Sequence, residues 1–560
     1  MHVERMSGNC YNLFNFSMSW LKKIKLDWGL IIVFLLGLVF LCSYTYLARQ
    51  LPSDWSNESN KLILNSPDET ANLFFARHFA QTNSLSFEDP ANQIAGELVS
   101  PRSMRVIDGQ TVPAGFIGLP IVYGSLAKIF GLNAIPFFTP VLAVIGIIFF
   151  YLLVKKLFGQ QAALWSSVFG YVLSAYWYYS AKGLMPNIAF LVFFIISLYF
   201  FLQSLDKKKL FYYLFFGIFL GLGLMIRTSE IVWLGPLLLI IALIKARQVN
   251  WRFLFCSLVM AILIFTPVLY FNQQIYNSPL SIGYSFDNWL VGQTPIEQGL
   301  SLLSQIFLPF GADFKMSAIN FYHYTYVLFP LWTILAVIGF FASNILFIIQ
   351  KNYRLIIYSV LFIIVSVYLV IYYGSWQFND NPDPSAVTIG TSYARYWLPI
   401  YLFSLPYIGW LISTLLKKFT IAKPAFGIFL FTCLFLVSYP AVALEPGEGI
   451  YQVSKNIQEY QRLGQAVFEK TEDNAVIVAG RLDKVFFPTR RVIFKLNKSQ
   501  DYDRIKELIG GGYPVYYFDF SLGPEDLAFL NEQIYAVPGL KLSDELLKFG
   551  QQSLYRVELR

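Results

Sequence analysis

Apolar runs of close to twenty residues recur through the first four-fifths of the chain, and a run of that length crosses a bilayer as a helix. Of the 560 residues, 56% are hydrophobic and only 14% are charged, which is typical of an integral membrane protein and not of a soluble one. The runs are 29–47, 134–154, 162–179, 188–205, 210–226, 231–246, 253–271, 326–349, 355–373, 396–416 and 425–443. We therefore predict a polytopic α-helical membrane protein with eleven spans.

Clusters of lysine and arginine between the runs predict the orientation. They occupy residues 22–25, 155–156, 207–209, 245–252, 351–354 and 417–423. With eleven spans and the N-terminus inside, all six clusters face the cytoplasm, as the positive-inside rule requires. One more span would place half of them outside. This placement is typical of membrane topology and not of a nucleic-acid-binding patch, so no nucleic-acid partner is expected.

The same topology divides the chain into three parts. Residues 1–28 are predicted to be a cytoplasmic segment and 29–444 a transmembrane domain, whose first outer loop, 48–133, is long. The end of that loop, 113–130, is apolar but must not cross if the orientation is to hold. We expect an interfacial or re-entrant helix there.

Residues 445–560 form the third part, predicted to be a small α/β domain on the outer side. Its short strand and helix patterns fall at 475–479 (strand), 491–495 (strand), 502–509 (helix), 514–518 (strand) and 525–535 (helix). The glycines at 510–512 end a helix before a strand, and they lack the strand–glycine–helix order and the lysine of a phosphate loop. The four cysteines of the chain form no CxxC pair, so they indicate neither a metal site nor a disulfide framework.

Two adjacent acids, Asp68 and Glu69, lie near the start of the stretch SPDETANLFFARHF at 66–79. Pro67 and Asp68 are typical of a helix start, because carboxylates are stabilised at the first helical turn. By themselves these residues indicate a solvated helix cap just outside a membrane span. However, the spans are nearly free of charge, whereas a transporter usually places charged groups near the bilayer centre. The ionisable residues gather in the outer loops, which favours a reaction at the outer membrane surface.

Three further charged residues are predicted to lie at the depth of the lipid headgroups. Arg227 and Glu230 occupy a very short hairpin, and Arg395 opens a span in the run SYARYWLP. A guanidinium at that depth either snorkels to the headgroups or holds a phosphate through paired hydrogen bonds. Both interpretations stay open at this point.

Several short motifs in this order resemble those of one family. They are the Asp68–Glu69 pair, the Pro-x-Gly-Phe segment at 113–116, KKLFG at 155–159, Arg227, RYWLP at 395–399 and an outer α/β tail. The chain resembles the GT-C superfamily of membrane glycosyltransferases, with the closest likeness to the protein O-mannosyltransferase and lipid A aminoarabinose transferase branch. The likeness covers the whole chain in layout, although each motif is short.

The resemblance implies a one-step inverting transfer of a sugar from a polyprenyl-phosphate donor to a hydroxyl of a lipid, glycan or protein acceptor. It implies that Asp68 is the general base and that Glu69 is a helper carboxylate. The implied cations for the leaving phosphate are Arg102, Arg105, Arg227 and Arg395, and the implied accessory residues are His78, Lys182 and Glu230. It names no certain cofactor and leaves a divalent metal open.

The chain departs from the family pattern at two places. Thr111 and Val112 stand where many relatives carry a charged residue or histidine, and Asn187 stands where relatives often carry an aspartate. A second acid would then come from elsewhere, such as Glu230. Two other functions stay open: a transporter or lipid flippase of the cell envelope, and a non-catalytic scaffold or sensor that works through the tail.

Overall fold

The computed structural model describes residues 27–51, 63–281, 283, 304, 306–378, 380, 381, 383, 385–418 and 423–560. The predicted cationic cluster at 22–25 and most of the predicted cytoplasmic segment lie outside the described residues. So do residues 52–62 of the first predicted loop and most of 284–305 in a later loop.

Helices make up most of the described chain up to residue 444. They are α1 (Trp28–Tyr44), α2 (Tyr46–Arg49), α3 (Pro67–Thr82), α4 (Pro90–Ala95), α5 (Gly118–Phe130), α6 (Ile135–Phe158), α7 (Gln160–Val172), α8 (Ser174–Lys182), α9 (Pro186–Lys207), α10 (Leu210–Ile226), α11 (Ile231–Ile244), α12 (Trp251–Tyr276), α13 (Phe314–Tyr322), α14 (Pro330–Ile349), α15 (Tyr353–Gly374), α16 (Ser392–Tyr396), α17 (Leu398–Lys418) and α18 (Lys423–Tyr439).

Seven of the described helices are individually long and apolar enough to cross a membrane: α6, α9, α12, α14, α15, α17 and α18, some with an adjoining turn. Helices α10 and α11 pass the same test only as a pair, which is bent by 120° at a short break. All eleven predicted spans fall on helices, but the third is divided between α7 and α8 at Leu173, whose backbone is extended. Helix α1 has 17 residues. These apolar helices identify the chain as an integral membrane protein. The count of eleven spans stays a prediction.

Lipid-facing and buried helices differ in their outer surface. Helix α9 is buried along most of its length, whereas α12 exposes large apolar side chains such as Phe255 and Ile262. A helix with an exposed apolar face needs an apolar solvent, and lipid supplies one.

The segment between α3 and α6 is a folded unit, not an open loop. It contains an antiparallel sheet of β1 (Phe87–Glu88), β2 (Met104–Ile107) and β3 (Gln110–Pro113), in the order β1-β3-β2. Helix α5, in the segment predicted not to cross, has 13 residues and packs on α3. The close approach needs glycine, because a Cβ on Gly124 would lie 2.6 Å from the carbonyl oxygen of Ala76.

The C-terminal part contains a five-stranded mixed sheet. Its elements are α19 (Ile450–Phe468), β4 (Val476–Val478), α20 (Asp483–Phe486), β5 (Arg491–Ile493), α21 (Ser499–Gly510), β6 (Val515–Phe520), α22 (Pro524–Phe529), β7 (Leu540–Phe549) and β8 (Gln552–Leu559). The strand order is β5-β4-β6-β8-β7, with β4 parallel to β5 and β6, and β8 antiparallel to β6 and β7. The three predicted strands are present, whereas the hairpin β7–β8 was not predicted.

The C-terminal domain packs directly against the segment that follows α3. Ser100 forms a parallel bridge with Ile493 on β5, the edge strand of the C-terminal sheet. Two ion pairs cross the same interface: Arg102 with Asp483, and Arg491 with Asp89. This contact brings the domain close to the N-terminus of α3, where Asp68 lies.

Candidate active site

A cavity of about 310 Å³ lies where six separate parts of the chain meet. The N-terminal half of α3, the residue before β2, the segment at the end of β3, the start of α9, the break at Arg227 and the short helix α16 all contribute to its wall. Its polar lining consists of Asp68, Asn72, Ser103, Asn187, Arg227 and Arg395, and its lining also includes the rings of Phe116 and Tyr396. Phe116 belongs to the Pro-x-Gly-Phe motif and Tyr396 to RYWLP, so motifs far apart in sequence share one cavity.

Asp68 is the carboxylate of this cavity. Pro67 occupies the first position of α3, and Asp68 follows in the first turn. Its Oδ1 accepts a hydrogen bond of 2.6 Å from the Ser103 hydroxyl, and its Oδ2 lies 3.2 Å from Nη1 of Arg395. Burial raises the pKa of Asp68, but the charge of Arg395, the Ser103 hydrogen bond and the charge of Lys182 outweigh it, and the net pKa is lowered. Asp68 is therefore ionised and partly accessible from the cavity.

Glu69 points away from this cavity even though it is the next residue. Its side chain is buried and lines a separate small cavity of about 20 Å³ beside Lys182. Burial raises the pKa of Glu69 to about 7, and the charge of Asp68 adds to this while Lys182 and Lys484 oppose it. Successive residues of a helix point about 100° apart, so two adjacent acids need not share a site. The structure gives the two carboxyl groups different environments.

Arg227 and Glu230 form a buried ion pair in the wall of the 310 Å³ cavity. The Nε of Arg227 donates to Oε1 of Glu230 at 2.8 Å, and the hydroxyl of Tyr373 donates to the same oxygen at 2.7 Å. Trp233 donates its indole N–H to the other oxygen. Because both carboxylate oxygens already accept hydrogen bonds, Glu230 is the counter-charge of Arg227 and not a free second acid.

Within the part of the chain that the structure describes, Arg395 and Asn187 each keep one buried polar atom without a partner. Nη2 of Arg395 donates to the Ser392 hydroxyl at 2.8 Å, and the amide nitrogen of Asn187 donates to the Arg395 carbonyl at 3.3 Å. Among the described residues, Nε of Arg395 and Oδ1 of Asn187 have no hydrogen-bond partner. A buried donor and a buried acceptor left open at the wall of a polar cavity are what a ligand would satisfy.

Comparison with known proteins identifies the fold that carries this cavity. The family model described as "Dolichyl-phosphate-mannose-protein mannosyltransferase" matches residues 121–271. The structure of ArnT from Cupriavidus metallidurans bound to undecaprenyl phosphate superposes with a TM-score of 0.55 at 11% identity, covering 94% of this chain and 98% of that one. The chain has a GT-C fold. The resemblance to the GT-C superfamily of membrane glycosyltransferases is thereby confirmed.

A second solved structure of the superfamily supports the same fold. The apo oligosaccharyltransferase of Archaeoglobus fulgidus superposes with a TM-score of 0.51 at 12% identity, covering 89% of this chain and 70% of that one. No curated protein sequence matches the chain. The likeness therefore lies in the GT-C fold and in the family-model match over residues 121–271, and the roles of individual residues have to be argued from this chain's own contacts.

Besides Glu69 and Glu230, four of the residues predicted for the site do not line the 310 Å³ cavity of this GT-C fold. Arg102 donates to Asp483 of the C-terminal domain, because that fully buried carboxylate needs a counter-charge. Arg105 lies over the ring of Tyr276 at 4.9 Å. The Nε2 of His78 contacts the carbonyl of Ser86 at 3.0 Å. The fourth is Lys182, which lines the small cavity beside Glu69.

The structure also adds residues that the sequence did not single out. Ser103 contacts Asp68, and Tyr373 and Tyr396 surround Arg227. Tyr396 was within reach of sequence reasoning because it adjoins Arg395 in RYWLP, whereas nothing in the sequence distinguishes Ser103 from other loop serines. Among the described residues, no group of three or more His, Cys, Asp and Glu side chains lies close enough together to hold a metal ion.

Proposed function

We propose that the protein is a glycosyltransferase that moves a hexose or pentose from a polyprenyl-phosphate donor to an acceptor hydroxyl at the outer face of the membrane. One observation carries the proposal: a single cavity joins the ionised carboxylate of Asp68 to the guanidinium groups of Arg395 and Arg227. The GT-C fold supports glycosyl transfer in general. The bound undecaprenyl phosphate of the solved ArnT supports a donor linked to a polyprenyl phosphate.

The residues of the cavity suit an inverting single displacement. Asp68 takes the proton of the acceptor hydroxyl as the oxygen attacks C1 of the sugar, since a hydroxyl is a poor nucleophile while it keeps its proton. The bond between C1 and the phosphate oxygen breaks, and the polyprenyl phosphate leaves with the electron pair. Arg395 and Arg227 stabilise the negative charge that develops on that phosphate.

The contact between Arg395 and Asp68 gives donor binding a further effect. Without donor, Arg395 stabilises the ionised form of Asp68 and weakens it as a base. A donor phosphate bound to Arg395 brings negative charge next to Asp68 and competes for the same guanidinium. Both changes raise the proton affinity of Asp68, so the base is strengthened when the donor is in place.

The topology is part of the proposal. Eleven spans with the N-terminus inside place the described cationic clusters on one side and residues 445–560, the first loop and the cavity on the other. The 120° bend between α10 and α11 supports a hairpin with Arg227 at its turn, near the membrane boundary. The site then lies at the depth at which the phosphate of a membrane-embedded polyprenyl lipid is found.

A donor panel tests the proposed activity. Membranes containing the protein are given radiolabelled sugars on undecaprenyl phosphate, one sugar at a time, and the label is followed into lipid, glycan and protein fractions. We expect one sugar to move and its transfer to be lost in Asp68→Asn. The matched control is Glu459→Gln, which neutralises an exposed carboxylate on α19. Equal transfer by Asp68→Asn and the control would contradict the proposal that this transfer depends on Asp68.

A further inference from the structure

A chain of contacts runs from the C-terminal domain to Asp68. It begins at Asp483, the first residue of α20, whose side chain is fully buried. Its Oδ1 accepts from Nε and Nη2 of Arg102 at 2.9 Å and 2.6 Å, and its Oδ2 accepts from the backbone N–H of Arg102 at 2.6 Å. Because a buried charge is costly unless it is paired, Asp483 holds both the side chain and the backbone of Arg102 in place.

The next residue in the chain, Ser103, has an unusual backbone conformation. Its φ is +62°, in the left-handed region that residues other than glycine rarely adopt. The backbone is held on both sides: Asp483 binds the N–H of Arg102, and the carbonyl of Ser103 accepts from the N–H of Ala114 at 3.1 Å. In this conformation the Ser103 hydroxyl donates to Oδ1 of Asp68 at 2.6 Å.

We propose that Asp483 is a positioning residue for the transfer reaction, acting through Arg102 to hold the Ser103 hydroxyl against the base Asp68. The C-terminal domain is then part of the catalytic apparatus and not only a cover over the loops. With Oδ1 engaged by Ser103, Oδ2 is the oxygen left to contact Arg395 and to receive the acceptor proton. The catalytic part of this inference rests on the proposed function.

A second interdomain ion pair allows a matched control. Arg491 on β5 donates to Asp89 at 2.7 Å across the same interface, but Asp89 is not among the residues that line the cavity. Asp89 also accepts from the N–H of Ala91 at the start of α4, a role that asparagine keeps. Asp89→Asn therefore weakens the docking of the domain without touching the contacts of Asp68.

The first measurement reads the protonation of Asp68 without any substrate. The full-length protein is treated at a series of pH values with a carbodiimide, an electrophile that takes up the proton of a carboxyl group as the carboxyl oxygen adds to it, and modification of Asp68 is followed by mass spectrometry. Arg395 and Lys182 act on Asp68 through their charges, Asp68 acts on Glu69, and all of these charged residues are unchanged in the variants. Loss of the Ser103 hydrogen bond removes a contact that favours the ionised form, so the labelling midpoint should rise.

We expect Ser103→Gly and Asp483→Asn each to raise that midpoint by about one pH unit, and Asp89→Asn to leave it unchanged. Glycine adopts the left-handed conformation without strain, so Ser103→Gly removes the hydroxyl and little else. If Asp483→Asn fails to fold, the pair Asp483→Asn with Arg102→Gln removes both charges of the ion pair and tests the same link. Asp483→Asn and Asp89→Asn giving the same midpoint as the unmodified protein would overturn the inference.

The second measurement is turnover with the donor that the panel identifies. Asp483→Asn should lower kcat about tenfold with little change in the donor KM, because Arg395 and Arg227 are untouched. If Asp89→Asn lowers kcat by the same factor, the effect comes only from weaker docking of the C-terminal domain, and the positioning role of Asp483 is overturned. The two proposals fail separately. Full activity of Asp68→Asn contradicts the proposed function. If Asp68→Asn is inactive but Asp483→Asn leaves the labelling midpoint of Asp68 unchanged, only this inference is contradicted.

Discussion

Nη1 of Arg395 lies 3.2 Å from Oδ2 of Asp68, although the two residues are 327 positions apart in the chain. The proposed base and a proposed phosphate ligand are thus in contact before any donor is bound. Their side chains differ in exposure, 37% for Asp68 and 11% for Arg395, so the carboxylate remains open to the cavity. Binding of a donor phosphate to Arg395 is therefore coupled to the basicity of Asp68.

Arg395→Lys tests whether the guanidinium group itself is needed. Lysine keeps the positive charge but offers a single point of contact where the guanidinium can bind a phosphate with two parallel hydrogen bonds. We expect the donor KM to rise about tenfold with a smaller effect on kcat. The control is Arg252→Lys, at an exposed position at the start of α12. If the donor KM is equal in both variants, Arg395 is only an anchor at the membrane boundary.

Glu230→Gln tests the assignment of Glu230 as a counter-charge. The variant leaves Arg227 buried without its ion-pair partner, which typically costs about 3 to 5 kcal/mol. We expect a clearly lower midpoint of thermal unfolding in detergent, together with weaker donor binding. Exposed Glu459→Gln serves as the reference. An unchanged midpoint would mean that Glu230 does not stabilise Arg227.

Glu69 predicts a dependence of stability on pH. The pKa of Glu69 is raised from 4.5 to about 7 in the folded chain, mainly by burial, so the folded state holds its proton more tightly than the unfolded state. This contribution to stability is fully present below pH 4.5 and is lost as the pH rises through about 7. We expect the midpoint of thermal unfolding to change less between pH 5 and 7 in Glu69→Gln than in the unmodified protein. At pH 8, Glu69→Gln should have the higher midpoint. A parallel pH profile for the two proteins would contradict the assignment.

Thiol labelling in intact cells tests the topology. In a background without the four native cysteines, a cysteine at Ser499 should react with an impermeant reagent, because the C-terminal domain is proposed to face outward. A cysteine at Lys208, in one of the cationic clusters, should be protected until the membrane is opened. Both positions are exposed on the protein, so their labelling depends on the side of the membrane. Labelling at position 208 and protection at position 499 in intact cells would contradict the proposed orientation.

The helices of the membrane part could be predicted from sequence because one strong signal, hydrophobic length, determines them. All eleven apolar runs are helical. The bend at Arg227 falls at the predicted hairpin between two runs, whereas the break at Leu173 could not be predicted, because it depends on how one helix packs against the others. The hairpin β7–β8 was missed because the sequence of its first strand, LKLSDELLKF, mixes charges and leucines without strict alternation.

The site could be predicted only in part, for a similar reason. A sequence shows which side chains carry charge but not which partners they meet. Asp68, Arg227 and Arg395 line one cavity, whereas Arg102 carries the same charge as the two arginines of the cavity and pairs with Asp483. Ser103 had no visible signal, because its importance lies in a backbone conformation and a contact with Asp68.

Turnover of Asp68→Asn with the donor that the panel identifies tests the central claim most directly. Asparagine keeps the shape of the side chain and removes its basicity, so we expect kcat to fall by about two to four orders of magnitude. Expression and retention of radiolabelled undecaprenyl phosphate should stay nearly normal, and Glu69→Gln should cost less turnover. Turnover of Asp68→Asn close to that of the unmodified protein, on the same donor and acceptor, would contradict the assignment of Asp68 as the base.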